Sequence, residues 1–167
     1  INLPFDRVDA AINGALGDIG RHFAVDRGYV IAYDIANRTA SNTHEWCAPG
    51  TSSEIGNLQG LPFEHYMGLL ENNLRGQTLM IEKVSALGQG PVKSLLEAEK
   101  TRSLVTLPLM RHGECVGCVG FDSVKAERRF GEDEMGLLGL FAGLLSNLEE
   151  RRLADKNLRQ QQQNLQL

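Results

Sequence analysis

Two runs decide the fold: Ser103-Leu104-Val105-Thr106-Leu107-Pro108-Leu109-Met110 and Glu114-Cys115-Val116-Gly117-Cys118-Val119-Gly120-Phe121-Asp122-Ser123-Val124, joined by Arg111-His112-Gly113. Both are rich in apolar and β-branched residues, and so short a glycine-containing connection makes them an antiparallel pair. Working upstream, Gly90-Pro91 begins a helix from Val92 to about Lys100, with glycine as the cap and proline at the first position. Thr78 to Val84 reads as a short strand. Pro62 opens a further helical stretch that carries Phe63, Tyr66, Met67, Leu70 and Leu74 on one side, with Gly76 placed to end it. Pro49 to Ser53 is a loop by composition. Tyr29 to Tyr33, a turn at Asp34 to Arg38, and Thr39 to Cys47 make a second hairpin. Before it, Phe5, Val8, Ile12, Leu16, Ile19 and Phe23 recur at steps of three and four, with Pro4 suited to the first turn of an amphipathic helix.

Downstream, Glu132, Asp133 and Glu134 open a helix where its dipole favours negative charge. Leu137, Phe141, Leu144 and Leu148 repeat at four, three and four, and the seven-residue frame continues through Arg151, Asp155, Leu158, Gln162 and Leu165. An unbroken helix from Leu137 to Leu165 extends about 42 Å at about 1.5 Å per residue, so its end projects from the domain. Leucines at one heptad position, with charged or amide residues at the other, suit a weak parallel coiled coil. Leu137, Phe141, Leu144, Leu148, Leu158 and Leu165 are therefore the expected homodimer interface. The chain begins at Ile1 and ends in the polar run Asn157 to Leu167. We expect an excised module: a domain over 1–152, a coiled-coil linker over 153–167, and an effector beyond.

The order helix, two strands, helix, strand, helix, hairpin, long helix lacks the strand–helix alternation that builds a parallel sheet. The expected class is α+β: an antiparallel sheet with the N- and C-terminal helices packed together on one face. The middle helices take the other face, where a pocket forms.

The length of 167 residues fits one domain with a real core. A net charge of −4 argues against a general nucleic-acid binder, and no apolar run approaches a membrane span, so no membrane contact is expected of this segment. Three cysteines, Cys47, Cys115 and Cys118, without a signal peptide, point to a reducing cytoplasm.

Ser41-Asn42-Thr43-His44-Glu45-Trp46-Cys47-Ala48-Pro49-Gly50, followed by Leu58-Gln59 and Leu61-Pro62, resembles a bacterial signalling subgroup of GAF domains. Val25-Asp26-Arg27 with Tyr29-Val30, Arg102-Ser103-Leu104 with Pro108, Gly117 with Gly120-Phe121-Asp122, and Arg128-Arg129-Phe130 extend the likeness over about Phe5 to Arg152. The resemblance implies a sheet of about six strands serving as a small-molecule sensor or dimerising module. Such modules usually lie upstream of a histidine kinase, a diguanylate cyclase or a cyclic-di-GMP phosphodiesterase. The Asn-Lys…Phe…Asp-Glu constellation of cyclic-nucleotide-binding relatives finds no residue-by-residue match. Bilin-binding relatives attach pigment through a cysteine in the central helical region, and Gly50 to Val105 contains none. Free methionine sulfoxide reductase places its active cysteines there too.

Polar and aromatic residues within the strand runs are the candidate ligand contacts: Tyr29, Thr43, Glu45, Trp46, Thr106, Phe121 and Asp122, because a buried polar group needs a partner from protein, water or ligand. A turn-capping role is the plainer reading of Asp122. A second, different class is a zinc or redox site formed by His44-x-x-Cys47 with Cys115-x-x-Cys118. Residues three apart on a strand point to opposite faces, so Cys115 and Cys118 read instead as small apolar fillers. A third reading is a ligand-free dimerisation spacer. Gly88-x-Gly90-x-x-Lys93 lacks the third glycine of a dinucleotide loop, and His22, His65 and His112 read as surface or satisfied histidines. No catalytic residue, metal or cofactor is assigned.

Overall fold

In the computed structural model, which describes residues 4–166 with side chains from Arg7 onward, β5 (Ser103–Arg111) and β6 (Glu114–Ser123) pair along their whole length. His112 at φ 51° and Gly113 at φ 80° supply the two left-handed residues of the tight turn whose twist matches the strands. β1 (Arg27–Asp34) and β2 (Thr39–Cys47) form the second hairpin, and β1 also lies antiparallel along β6. Short edge strands complete a six-stranded antiparallel sheet in the order β3-β2-β1-β6-β5-β4, with β3 at Leu61–Pro62 and β4 at Leu79–Ile81. The fold is α+β, as its element order predicts.

Among the described residues four α-helices flank the sheet: α1 (Pro4–His22), α2 (Phe63–Leu74), α3 (Pro91–Ala98) and α4 (Glu132–Leu165). Helices α1 and α4 lie together on one face. Ile12 and Leu16 of α1 and Leu138, Phe141 and Leu145 of α4 close over Val30, Val105, Val119 and Phe121 in one continuous apolar cluster. Phe5, expected on this stripe, falls outside the residues whose side chains are described. On the other face, α2 and α3 cover smaller clusters around Tyr33 and Phe63 and around Val84, Leu96 and Leu104.

Several elements differ from the sequence reading. The run from Thr78 to Val84 pairs only at Leu79–Ile81, because Val84–Ala86 coils into a short 3-10 turn. Pro62 ends β3 immediately before α2. The buried stripe of α4 is Leu138, Phe141, Ala142 and Leu145, one position away from the heptad frame, because a helix lying on a sheet buries an i, i+3, i+4, i+7 face. Phe141 is thereby sealed in the core against the Phe121 ring, and Leu148 packs on the same cluster. Leu137, Leu144, Leu158 and Leu165 stay exposed, together with Leu140.

Two β-bulges redirect side chains. In β2, Val30 faces His44 and Ile31 faces Asn42, leaving Thr43 as the extra residue. In β6, Leu109 faces Gly117 and Met110 faces Cys115, leaving Val116 extra. Alternation alone would have separated Cys115 from Cys118. The bulge instead turns both into the cluster beneath α2 with Tyr33 and Phe63, which corrects the opposite-face expectation. Both are free thiols; burial pushes Cys118 up to about 12 and raises Cys115 as well, which keeps them protonated packing groups.

Candidate functional site

Between the α2–α3 pair and the sheet lies a cavity of about 80 Å³. That is room for a few waters or for part of a small molecule. Its walls are mostly aliphatic: Ile31, Ala40 and Leu61 from the sheet, Leu58 from the β2–β3 connection, Leu69 and Leu70 from α2, and Leu95 and Leu96 from α3. Arg27, Tyr29, Asn42, Glu45, Glu99 and Asp122 supply its polar side.

Arg27 opens β1 directly opposite Asp122 of β6, and both side chains are almost wholly buried. The guanidinium donates from Nη1 to Asp122 Oδ2 at 2.8 Å and to Thr101 Oγ1 at 3.4 Å. Its remaining groups donate to the Ser52 carbonyl, from Nε at 3.3 Å and Nη2 at 3.2 Å, and to the Glu99 carbonyl at 3.2 Å. The Tyr29 hydroxyl donates to Asp122 Oδ1 at 2.9 Å, and the Thr101 hydroxyl to Oδ2 at 3.2 Å. Gly120, opposite Tyr29, makes this possible, since any Cβ there would run into the Tyr29 ring. Burial alone would lower the Arg27 pKa, but Asp122 and Glu99 more than offset it and hold it above the ordinary value. Burial likewise raises Asp122, against the pull of Arg27, Tyr29 and Thr101. Charge and countercharge thus form a satisfied unit. Asp122 is not the turn cap; Asp26 is, its Oδ2 accepting from the Val124 and Lys125 amides.

Glu45 is held by the Ser53 hydroxyl and the backbone N–H groups of Glu54 and Ile55. Two polar side chains on the cavity wall remain without a partner in the protein: Asn42 at both Nδ2 and Oδ1, and Glu99 at Oε1. They are 3 % and 6 % exposed. Burial first, then Asp122, pushes the Glu99 carboxyl up to about 8, so the acid is mostly protonated at neutral pH.

Of the residues singled out from the sequence, the fold brings Tyr29, Glu45 and Asp122 to this cavity. It sends the others elsewhere. Phe121 alternates to the opposite face and packs against Phe141. Trp46 lies on that face too, seated against Gly17 and Gly20 of α1. Thr43 occupies the bulge and is exposed, its hydroxyl donating to the Val30 carbonyl. Thr106 donates to Asn73 Oδ1, which also accepts from Tyr33, beneath α2. Arg27, Asn42 and Glu99 were not singled out. An arginine beside Asp26 at the start of a strand was the available signal for the first, and a polar residue inside the Thr39–Cys47 strand run for Asn42; Glu99 carried none. The four-residue zinc set is not assembled: His44 meets Asp9 of α1, whereas Cys115 and Cys118 lie under α2, and no three described His, Cys, Asp or Glu residues could share a metal ion.

The profile of the GAF domain matches residues 7–148. The chain belongs to the GAF domain family. Its fold is similar to the blue-light-absorbing form of the Thermosynechococcus elongatus PixJ GAF domain, with a TM-score of 0.76, 18 % identity and 96 % of each chain covered. It is also similar to a domain described as part of a two-component sensor histidine kinase protein from Sinorhizobium meliloti 1021, with a TM-score of 0.70, 19 % identity, and 90 % of this chain and 97 % of that one covered. The GAF region of a protein described as a membrane protein from Geobacter sulfurreducens PCA gives 0.69 at 18 % identity, covering 86 % and 93 %. At such identities the likeness speaks for the fold. No curated protein matches the sequence. Sensor domains of signalling proteins are thus among the GAF structures this chain resembles, and no described helix is long and apolar enough to cross a membrane.

Proposed function

We propose that this GAF domain is a non-catalytic regulatory module of a bacterial signalling protein, binding a small molecule in the cavity beneath α2 and α3. One observation carries the reading: two buried polar side chains, Asn42 and Glu99, border an otherwise apolar cavity with hydrogen-bonding capacity unused. Buried groups of this kind are normally paired, so they favour an occupant over a filled spacer.

The β2 bulge supports a route outward. Asn42 borders the cavity and His44, two residues on, lies on the other face, where His44 Nε2 donates to Asp9 Oδ1 of α1 at 2.8 Å. Arg152 of α4 approaches the same Asp9 oxygen at 3.7 Å. A displacement of β2 at Asn42 therefore reaches both terminal helices. Ligand shifts their packing only by its differential affinity for the two arrangements.

In this reading residues 1–152 form the sensing domain and 153–167 a helical linker. The exposed Leu137, Leu144, Leu158 and Leu165 pair with a second copy in the cytoplasm, and the output is an effector such as a histidine kinase, a diguanylate cyclase or a cyclic-di-GMP phosphodiesterase. Mass spectrometry of small molecules released from natively purified protein tests the sensor reading: a stoichiometric compound lost in Asn42→Leu is expected. Light scattering tests the assembly. Leu137→Glu with Leu144→Glu should halve a dimer mass, and a wild-type monomer at high concentration removes the interface.

A further inference from the structure

Resting on the sensor reading above, we infer that the ligand is a small, uncharged, mainly apolar molecule that presents an amide-like donor–acceptor edge to Asn42 and Glu99. The first argument is what Arg27 lacks. A guanidinium has five N–H donors. Arg27 meets five acceptor contacts, on Asp122, Thr101, Ser52 twice and Glu99, so none is left for an incoming anion. A carboxylate or phosphate entering the cavity would meet Glu45 as a like charge, an Arg27–Asp122 pair that is neutral overall, and no free cation. The positive charge that would normally recognise such ligands is spent inside the fold.

The second argument is what remains open. Asn42 offers a donor and an acceptor side by side on one planar group, both unused, and this matches the complementary edge of another amide, a lactam or a similarly substituted heterocycle. Glu99 adds one unpartnered carboxyl oxygen. Because burial holds this carboxyl near 8, it enters neutral solution largely as a neutral acid and demands no ammonium partner. The aliphatic walls of Ile31, Leu58 and Leu95 reward an apolar body and penalise a charged one, which would surrender its hydration without a dedicated counterion.

Three probes of nearly equal shape separate the possibilities: benzamide, benzoate and benzylammonium, each titrated at millimolar concentration into the ¹⁵N-labelled chain at pH 7. Shifts centred on the Asn42 side-chain amide and the Glu99 backbone, with benzamide at least tenfold tighter than either ion, are expected. Asn42→Leu should weaken benzamide at least tenfold, whereas Glu99→Gln, which preserves a neutral hydrogen-bonding group, should hold it within threefold. Tighter binding of benzoate or benzylammonium in the same cavity overturns the ligand class and leaves the sensor reading standing. No binding by any of the three, with no small molecule released from native protein, overturns both. The wild-type series decides the charge preference without relying on any variant to fold.

Discussion

On the α1–α4 face, side chains from two helices and three strands merge into one apolar cluster, with Ile12, Leu16, Leu138, Val105 and Val119 fully enclosed. On the α2–α3 face the buried apolar residues divide into two smaller clusters, and the space between holds a charged pair, unpartnered polar groups and a cavity. Both faces belong to the same strands, and alternate residues of β1 and β6 supply each. Phe121 faces the sealed side and Asp122, its neighbour, the open one. A sealed face moves as a body and can carry a change in helix packing, whereas a partitioned face leaves room for an occupant.

The sharpest way to break this comparison is to remove one half of the buried pair. Arg27→Met leaves Asp122 as an uncompensated buried charge and should destabilise the domain by about 3–5 kcal/mol in urea denaturation, whereas Arg27→Met with Asp122→Leu should recover most of the loss. Equal destabilisation by the single and double variants would mean that Arg27 acts through the Ser52 and Glu99 carbonyls and not through Asp122.

The next effect concerns the sealed face. Leu138 is fully buried and its neighbour Leu137 is 51 % exposed. Leu138→Ala should cost about 2–5 kcal/mol. Leu137→Ala should stay within about 0.5 kcal/mol in the monomer. Reversed values would restore the heptad frame as the packing stripe. A smaller loss, about 1–3 kcal/mol, is expected for Gly20→Ala, whose new Cβ would run into the Trp46 ring seated on α1. The indole is partly exposed, so the measurement is also a fluorescence shift as the ring is displaced.

The hairpins, the antiparallel sheet and the pairing of the terminal helices were legible because each follows from local periodicity and turn chemistry. The α4 stripe was not, since 137, 141, 144 and 148 fit a seven-residue repeat as well as 138, 141, 142 and 145 fit a helix on a sheet, and only the sheet chooses. The candidate site was legible in part. Tyr29, Glu45 and Asp122 reach the cavity by simple alternation. Asn42 and His44 should share a face by that rule, and the bulge at Thr43 separates them. The same device at Val116 reunites Cys115 with Cys118. Arg27 and Asp122 are 95 residues apart in the chain and meet only because β1 lies along β6. A bulge inserts one residue without a signature in composition, and it inverts every inference drawn from period two beyond it.

The last prediction bears on the open face, where Glu99 borders the cavity. Glu99 has a pKa raised to about 8 by burial, above the ordinary carboxylate range it regains on unfolding. Between those two values the native state keeps a proton that the unfolded chain has released, so stability falls as pH rises. The contribution is complete below about pH 4.5, declines at no more than about 1.4 kcal/mol per pH unit, and is exhausted once pH passes the folded value. Glu99→Gln removes this dependence while keeping a neutral group of the same shape. Urea midpoints at pH 5, 7 and 8.5 should therefore show the variant gaining on the wild type with each step, other titrations cancelling in the difference except those of Asp122, Glu54 and Glu45, whose charges contribute to raising Glu99. Parallel curves would mean that Glu99 ionises in the fold as it does in water. The open face would then be hydrated, and its contrast with the sealed face would lie in packing alone.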